Sequence, residues 1–278
     1  IIIDTSLLKT PAAPEEVVLK FNLQKGKAYV YDMLMDFEQE TEGKKMSSGL
    51  TWRYRLNVTD EKNTIKTIRT TYERIAVSLD MGGQKLEFSS DNNGGDPTNP
   101  LNMLSNMFSA LKGKSFFMKV DEKGAILEID GLNKIGEAMI EEMNVPEQNK
   151  KMFLKNFTDR FNAKEVRETF GQAFSFYPGK KVKSGDSWKT ETSSKIGPLQ
   201  GNMITTYRLK RIDGNKITLV GTSTIDPGKD NSEKGSQTAQ LLVDAKTGLV
   251  LQNVFETKIN GNNKISGKGK ISGKEIPL

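Results

Sequence analysis

Val120-Asp121-Glu122-Lys123-Gly124 and Val243-Asp244-Ala245-Lys246-Thr247-Gly248 are one pattern written twice, a strand end running into an Asp-to-Gly hairpin. Upstream of each, the same order recurs. Lys25-Gly26-Lys27-Ala28-Tyr29 leads to Tyr54-Arg55-Leu56 in the first copy; Ser184-Gly185-Asp186-Ser187-Trp188 leads to Tyr207-Arg208-Leu209 in the second. Glycine supplies the positive φ of a tight turn and Asp bonds its own downstream backbone, so these motifs are turns feeding aromatic-led strands. The chain therefore reads as two copies of one β-rich unit.

Period-2 alternation supports the strands. Trp52, Tyr54, Leu56 and Val58 alternate with Arg53, Arg55, Asn57 and Thr59, as in a half-buried strand. Between Thr64 and Met81 the apolar parity changes, from Ile68 and Tyr72 to Ile75, Val77 and Leu79, which predicts a bulge near Glu73-Arg74. The first copy is longer than the second by roughly 30 residues, enough for the Gly82-Gly83 hairpin, an Asp91–Pro97 loop and one short helix. That loop has the composition of a calcium site but not its alternate-position spacing, and reads as a connector.

From Asn99 to Gln172 the period is helical. Leu104, Met107, Phe108 and Leu111 mark one helix, and Ile135, Met139, Ile140 and Met143 a second. Phe153, Phe157 and Phe161 mark a third, with a break at Asn162 and a restart capped by Asn162 and Glu165. The expected fold is α+β: duplicated antiparallel units, in one highly curved sheet or half-barrel or in two sheets, with a helical segment between and against them. The division is 17–130 for the first repeat with its helical extension near 99–112, 131–175 for the helical connector, and 176–278 for the second repeat.

Composition limits the chemistry. The chain of 278 residues has no His and no Cys, which removes Ser-His-Asp and Cys-His catalysis and the common zinc sites. Carboxylate-pair hydrolysis remains open, yet Glu137, Glu141 and Glu142 fall on the polar face of a helix and no acid–nucleophile pair stands out. No catalytic residue, cofactor or metal is expected. The net charge of +6 comes mainly from lysine. Lys264, Lys268, Lys270 and Lys274 share one strand face, opposite Ile265, Gly267, Gly269, Ile271 and Gly273, and read as a solvated or edge strand that could meet an anionic envelope surface. No aromatic residues interleave with these lysines, so nucleic acid is not expected. No apolar run is long enough to span a membrane.

The helical stretch concentrates soft side chains. Met103, Met107, Phe108, Met139, Met143, Phe153 and Phe157 are the candidate ligand-binding residues, because methionine adapts to irregular apolar ligands and helices over a curved sheet can enclose a pocket. A helix face simply packed on a sheet is the competing reading. Trp52 and Trp188 read as core anchors rather than sugar platforms.

Leu111-Lys112-Gly113-Lys114-Ser115-Phe116, the segment Phe176-Tyr177-Pro178-Gly179 through Ser187-Trp188, and the two Asp–Gly hairpins resemble an uncharacterised family of secreted or lipid-anchored envelope proteins of Bacteroidetes-type bacteria. The resemblance runs from about Leu19 onward and implies a periplasmic or surface location, with a signal and an acylated cysteine upstream of Ile1. It carries no activity and no site. The architecture is also similar to the bacterial lipoprotein-carrier half-barrel. Three functions are weighed on this basis: a non-enzymatic envelope protein that binds a hydrophobic or amphipathic ligand between sheet and helices, a module binding protein or anionic glycan, and a carboxylate-based hydrolase.

Overall fold

The computed structural model describes residues 16–92, 100–143, 145–196, 199–226, 234–261 and 263–278. The first copy follows a two-residue strand β1 (Val17–Val18). It comprises β2 (Ala28–Thr41), β3 (Lys44–Lys62), β4 (Ile65–Met81), β5 (Gln84–Ser89), helix α1 (Pro100–Leu111), β6 (Ser115–Val120) and β7 (Ile126–Asp130). Helices α2 (Leu132–Glu142), α3 (Glu147–Arg160) and α4 (Ala163–Phe174) connect the copies. A short β8 (Lys181–Val182), paired with β1, precedes the second copy. That copy comprises β9 (Ser187–Ile196), β10 (Leu199–Asp213), β11 (Lys216–Asp226), β12 (Lys234–Asp244), β13 (Val250–Asn260) and β14 (Asn263–Ile276).

The fold is α+β, and both copies lie in one antiparallel sheet ordered β7-β6-β4-β3-β2-β14-β13-β12-β11-β10-β9, with β5 paired to the far part of β4. The sheet is open, and its path ends at β7 and β9. The two copies run in the same direction, and β14 splices the first strand of one to the last of the other.

The repeated turns make repeated bonds. Gly26 N–H donates to Val58 O (2.9 Å), and Gly185 N–H donates to Leu209 O (2.8 Å). These bonds make Val58 the counterpart of Leu209, so the two Tyr-Arg-Leu triplets share a face but stand two residues out of register. Side-chain period hides such a slip, because a shift of two leaves every residue on its face. The predicted bulge is present. Arg53 faces Arg74 and Tyr54 faces Tyr72, which leaves Glu73 over. On one side of it β4 pairs with β6, on the other with β5, so the extra segment of the first copy leaves the sheet there.

The position of β14 corrects an expectation. It is the central strand, bonded to β13 and β2 along most of its length, and not an edge. Its lysines do project from the outer face, but Lys264 stands opposite Glu40 and Lys268 between Asp36 and Glu256. Cross-strand acids thus compensate Lys264 and Lys268, whereas Lys270 faces Leu34 and Val254 and Lys274 faces Val30. On the inner face Gly267, Gly269 and Gly273 leave bare backbone, over which the rings of Phe37, Phe255 and Tyr31 lie. With no Cβ at its midline, the sheet can curl tightly.

One end of the curl is locked. The hairpins Asp121–Gly124 and Asp244–Gly248 are six strand spacings apart, which is roughly 29 Å in a flat sheet. Yet consecutive residues of one segment reach both, since Phe21 N–H donates to Glu122 O (2.8 Å) and Asn22 N–H to Thr247 O (2.8 Å). The Tyr177 ring sits between Gly124 and Gly248, and its hydroxyl donates to Gly248 O (2.9 Å). Leu19, Phe21, Leu23, Phe174 and Phe176 fill the space within. Helix α4 packs against both end strands, β7 and β9, with Arg167 Nε donating to Ile126 O (3.3 Å). It bridges the gap that the open sheet leaves.

Gly248 has φ +71°, and a Cβ there would strike the Lys20 carbonyl and the Tyr177 ring, whereas Gly214 has φ +54° in open space. Gly248→Ala is therefore expected to lower the unfolding free energy by about 2–4 kcal/mol, and Gly214→Ala by only about 1 kcal/mol. Chemical denaturation of the two variants measures the difference; equal losses would show that the clasp at Gly248 is not tight.

Candidate functional site

The inner face of the sheet can be followed rung by rung. One rung carries Ile75, Trp52, Met33, Ile271 and Asn253 across β4, β3, β2, β14 and β13. The next carries Leu50, Met35, Gly269, Phe255 and Ala239. Main-core packing ends near these rungs, and a separate small cluster of Met203, Ile225, Ile259 and Ile265 closes the interior farther along. Between the two lies an inner chamber of about 190 Å³, covered by Thr169 and Ala173 of α4.

A second, outer chamber of about 320 Å³ opens beneath α1, α2 and α4. Its walls include Met107, Phe108 and Leu111 on one side and Tyr72, Val166 and Phe170 on the other. Trp52, Tyr54 and Thr169 line both chambers and form the wall they share. Asn162 positions the helical side of this wall. As the N-cap of α4 its carboxamide oxygen accepts from Lys164 N–H (2.9 Å) and Glu165 N–H (3.1 Å), which satisfies two of the free donors at the helix start.

The candidate residues divide. Met107, Phe108 and Met139 stand on the wall of the outer chamber. Phe157 is buried and packs on Gly136 of α2, where a Cβ would meet its ring at 2.8 Å. Phe153 stacks on Phe157 with centroids 6.5 Å apart, and Met143 packs on the main core, so these three hold the helices together. The side chain of Met103 lies outside the described residues. Sequence reasoning missed the sheet side of the site: Trp52, Tyr54 and Tyr72 from the first copy, Phe255 and Asn253 from the second. The available signal was the alternation of β3, which already placed Trp52 and Tyr54 on one inward face.

Trp188 behaves as a core anchor, with Nε1 donating to Phe176 O (2.8 Å). Trp52 is different. It stacks on Tyr54 at 5.7 Å, and its buried Nε1 has no partner among the described residues. Elsewhere, Asp91 pairs with Arg74 and Lys112, whose hydrogen bonds hold its carboxyl below the usual range; residues 93–97 of that loop lie outside the described residues. Glu142 pairs with Lys114 at 2.5 Å. Among the described residues no cluster of three or more acids could hold a metal ion, and no helix is long and apolar enough to cross a membrane.

The family of unknown function DUF6263 is matched over residues 63–250. The chain belongs to that family. The DUF6263 span takes in β4 through β12 and all four helices, hence the helical wall of the outer chamber and much of the second copy. No curated protein matches the chain. Solved structures align along most of its length at low similarity. OprB of Pseudomonas putida is 8% identical over 90% of this chain and 93% of its own, with a TM-score of 0.26. A DUF1329 family protein of Desulfovibrio piger is 6% identical over 87% and 84%, with a TM-score of 0.17. Both scores are too low to establish a shared fold.

Burial of the phenol raises the pKa of Tyr31, Tyr54, Tyr72 and Tyr177 above the ordinary value near 10, and moves Tyr207 to about 12. Burial also raises Tyr29, so all six tyrosines of the chain are affected. Folding favours the protonated form, so this stabilisation is complete below pH about 10 and is lost as the pH rises through the folded values. Absorbance titration is expected to show little native phenolate from Tyr31, Tyr54, Tyr72, Tyr177 and Tyr207 near pH 10, and then phenolate appearing together with unfolding above about pH 12. A titration of two or more tyrosines at pH 10 with circular dichroism unchanged would contradict the packing described.

Proposed function

We propose that this protein is a non-enzymatic, cell-envelope binder of a hydrophobic or amphipathic molecule, held between the curled sheet and helices α1, α2 and α4. The observation that carries the reading is the pair of adjacent chambers that share Trp52, Tyr54 and Thr169 in their walls. The outer chamber falls in the size range of ligand sites, and its wall is aromatic and thioether-rich, a surface that adapts to flexible apolar chains. The resemblance to lipid-anchored envelope proteins and the half-barrel arrangement of sheet and helices agree with that reading. The outer wall offers Glu165 as its one carboxylate, where glycoside-type hydrolysis uses two, and this ranks the hydrolase last.

Purified protein, extracted with organic solvent and analysed by mass spectrometry, should release an amphipathic molecule in near-stoichiometric amount. Thr169→Phe places a ring where the two chambers meet and is expected to remove most of the bound molecule while thermal stability stays within a few degrees. Native protein that carries no extractable ligand, and binds none from a lipid extract, would refute the proposal.

A further inference from the structure

Inside the second copy one rung breaks the apolar pattern. Thr205, Ser223, Gln237 and Thr257 face one another across β10, β11, β12 and β13, and the rung continues to Gly267 on β14. Thr205, Ser223 and Thr257 are 3%, 2% and 2% exposed. The rung on one side carries Tyr207, Ala239 and Phe255, and on the other Met203, Ile225 and Ile259. A buried belt of hydroxyls and amides between two apolar layers weakens the core unless its polar atoms are used.

The belt uses only part of its capacity internally. The Thr205 and Ser223 hydroxyls bond at 2.8 Å, and the Thr257 hydroxyl donates to Gln237 Oε1 at 3.0 Å. Gln237 is half-buried, and its bond within the belt uses Oε1 and leaves its side-chain NH₂ available to a ligand. Two rungs along, level with Trp52, the buried Oδ1 of Asn253 has no donor among the described residues. All five side chains line the inner chamber, and among the described residues none that lines it is charged.

We propose that the inner chamber receives the uncharged, hydroxyl-bearing head of a single-chain amphiphile, whose hydrocarbon tail parts the shared wall at Trp52, Tyr54 and Thr169 to reach the outer chamber. This rests on the ligand-binding reading above and specifies its chemistry. One hydroxyl of the head can accept from Gln237 and a second can donate to Asn253, so a polyol head serves both levels of the chamber. A carboxylate or phosphate head would enter a site without a cation, where desolvation excludes it. The division of surfaces matches the molecule, with polar neutral side chains in the inner chamber and aromatic and thioether groups in the outer one.

Delipidated protein titrated calorimetrically with monolaurin and with laurate at pH 8 tests this directly. Monolaurin is expected to bind at least about tenfold more tightly than laurate, which has the same chain with an ionised head. Thr257→Val keeps the shape and strand preference, and Ser223→Ala is a small change. Each is expected to weaken monolaurin about fivefold to tenfold, to leave laurate unchanged, and to keep or raise thermal stability. If the belt served only the fold, both variants would lose stability while monolaurin affinity stayed constant, which would overturn the inference. Laurate binding as tightly as monolaurin would also overturn it while leaving the apolar site standing. If neither compound binds, the ligand-binding reading itself fails.

Discussion

The clasp around Tyr177 is the constraint on which the rest of the molecule depends. Two homologous hairpins, six strands apart, are drawn to one ring because each presents a glycine at positive φ where a side chain would collide. The residues 19–23 stitch them through backbone bonds, and the Tyr177 hydroxyl fixes one carbonyl. A sheet of this width, left to its own twist, would remain an open fan. Clasped at one end, it becomes a cup.

From that clasp the interior follows. Near it, the aromatic residues of the N-terminal segment and the end of α4 fill the curl, and the core is closed. Farther along, the rings of Phe37 and Phe255 lie over the glycines of β14, and α4 supplies only Thr169 and Ala173 to the lid. The space left is the inner chamber. The outer chamber arises from the departure from symmetry: the bulge at Glu73 releases β5 and α1 from the first copy, and α1 then walls off a volume that the second copy lacks.

Much of this was legible in the sequence, because turns and alternation are local. The Asp–Gly hairpins, the phase change at Glu73, the Asn162 cap and the inward parity of Ile265, Gly267 and Gly269 follow from neighbouring residues alone. The place of β14 was not legible, since lysines on one strand face are equally consistent with an edge and with a central strand whose neighbours carry Asp36, Glu40 and Glu256. The site was half legible. Helical periodicity brought out Met107, Phe108 and Met139, but nothing local distinguishes them from Phe153 and Phe157, which join helix to helix. The polar belt was invisible, because Thr205, Ser223, Gln237 and Thr257 become neighbours only through strand register.

A high-resolution crystal structure of the protein as purified, without delipidation, tests the central claim most directly. The account predicts continuous elongated density from the belt at Ser223 and Thr257, past Trp52, to Met107 and Phe108. Chambers collapsed around their own side chains, or filled only by ordered waters, would contradict it.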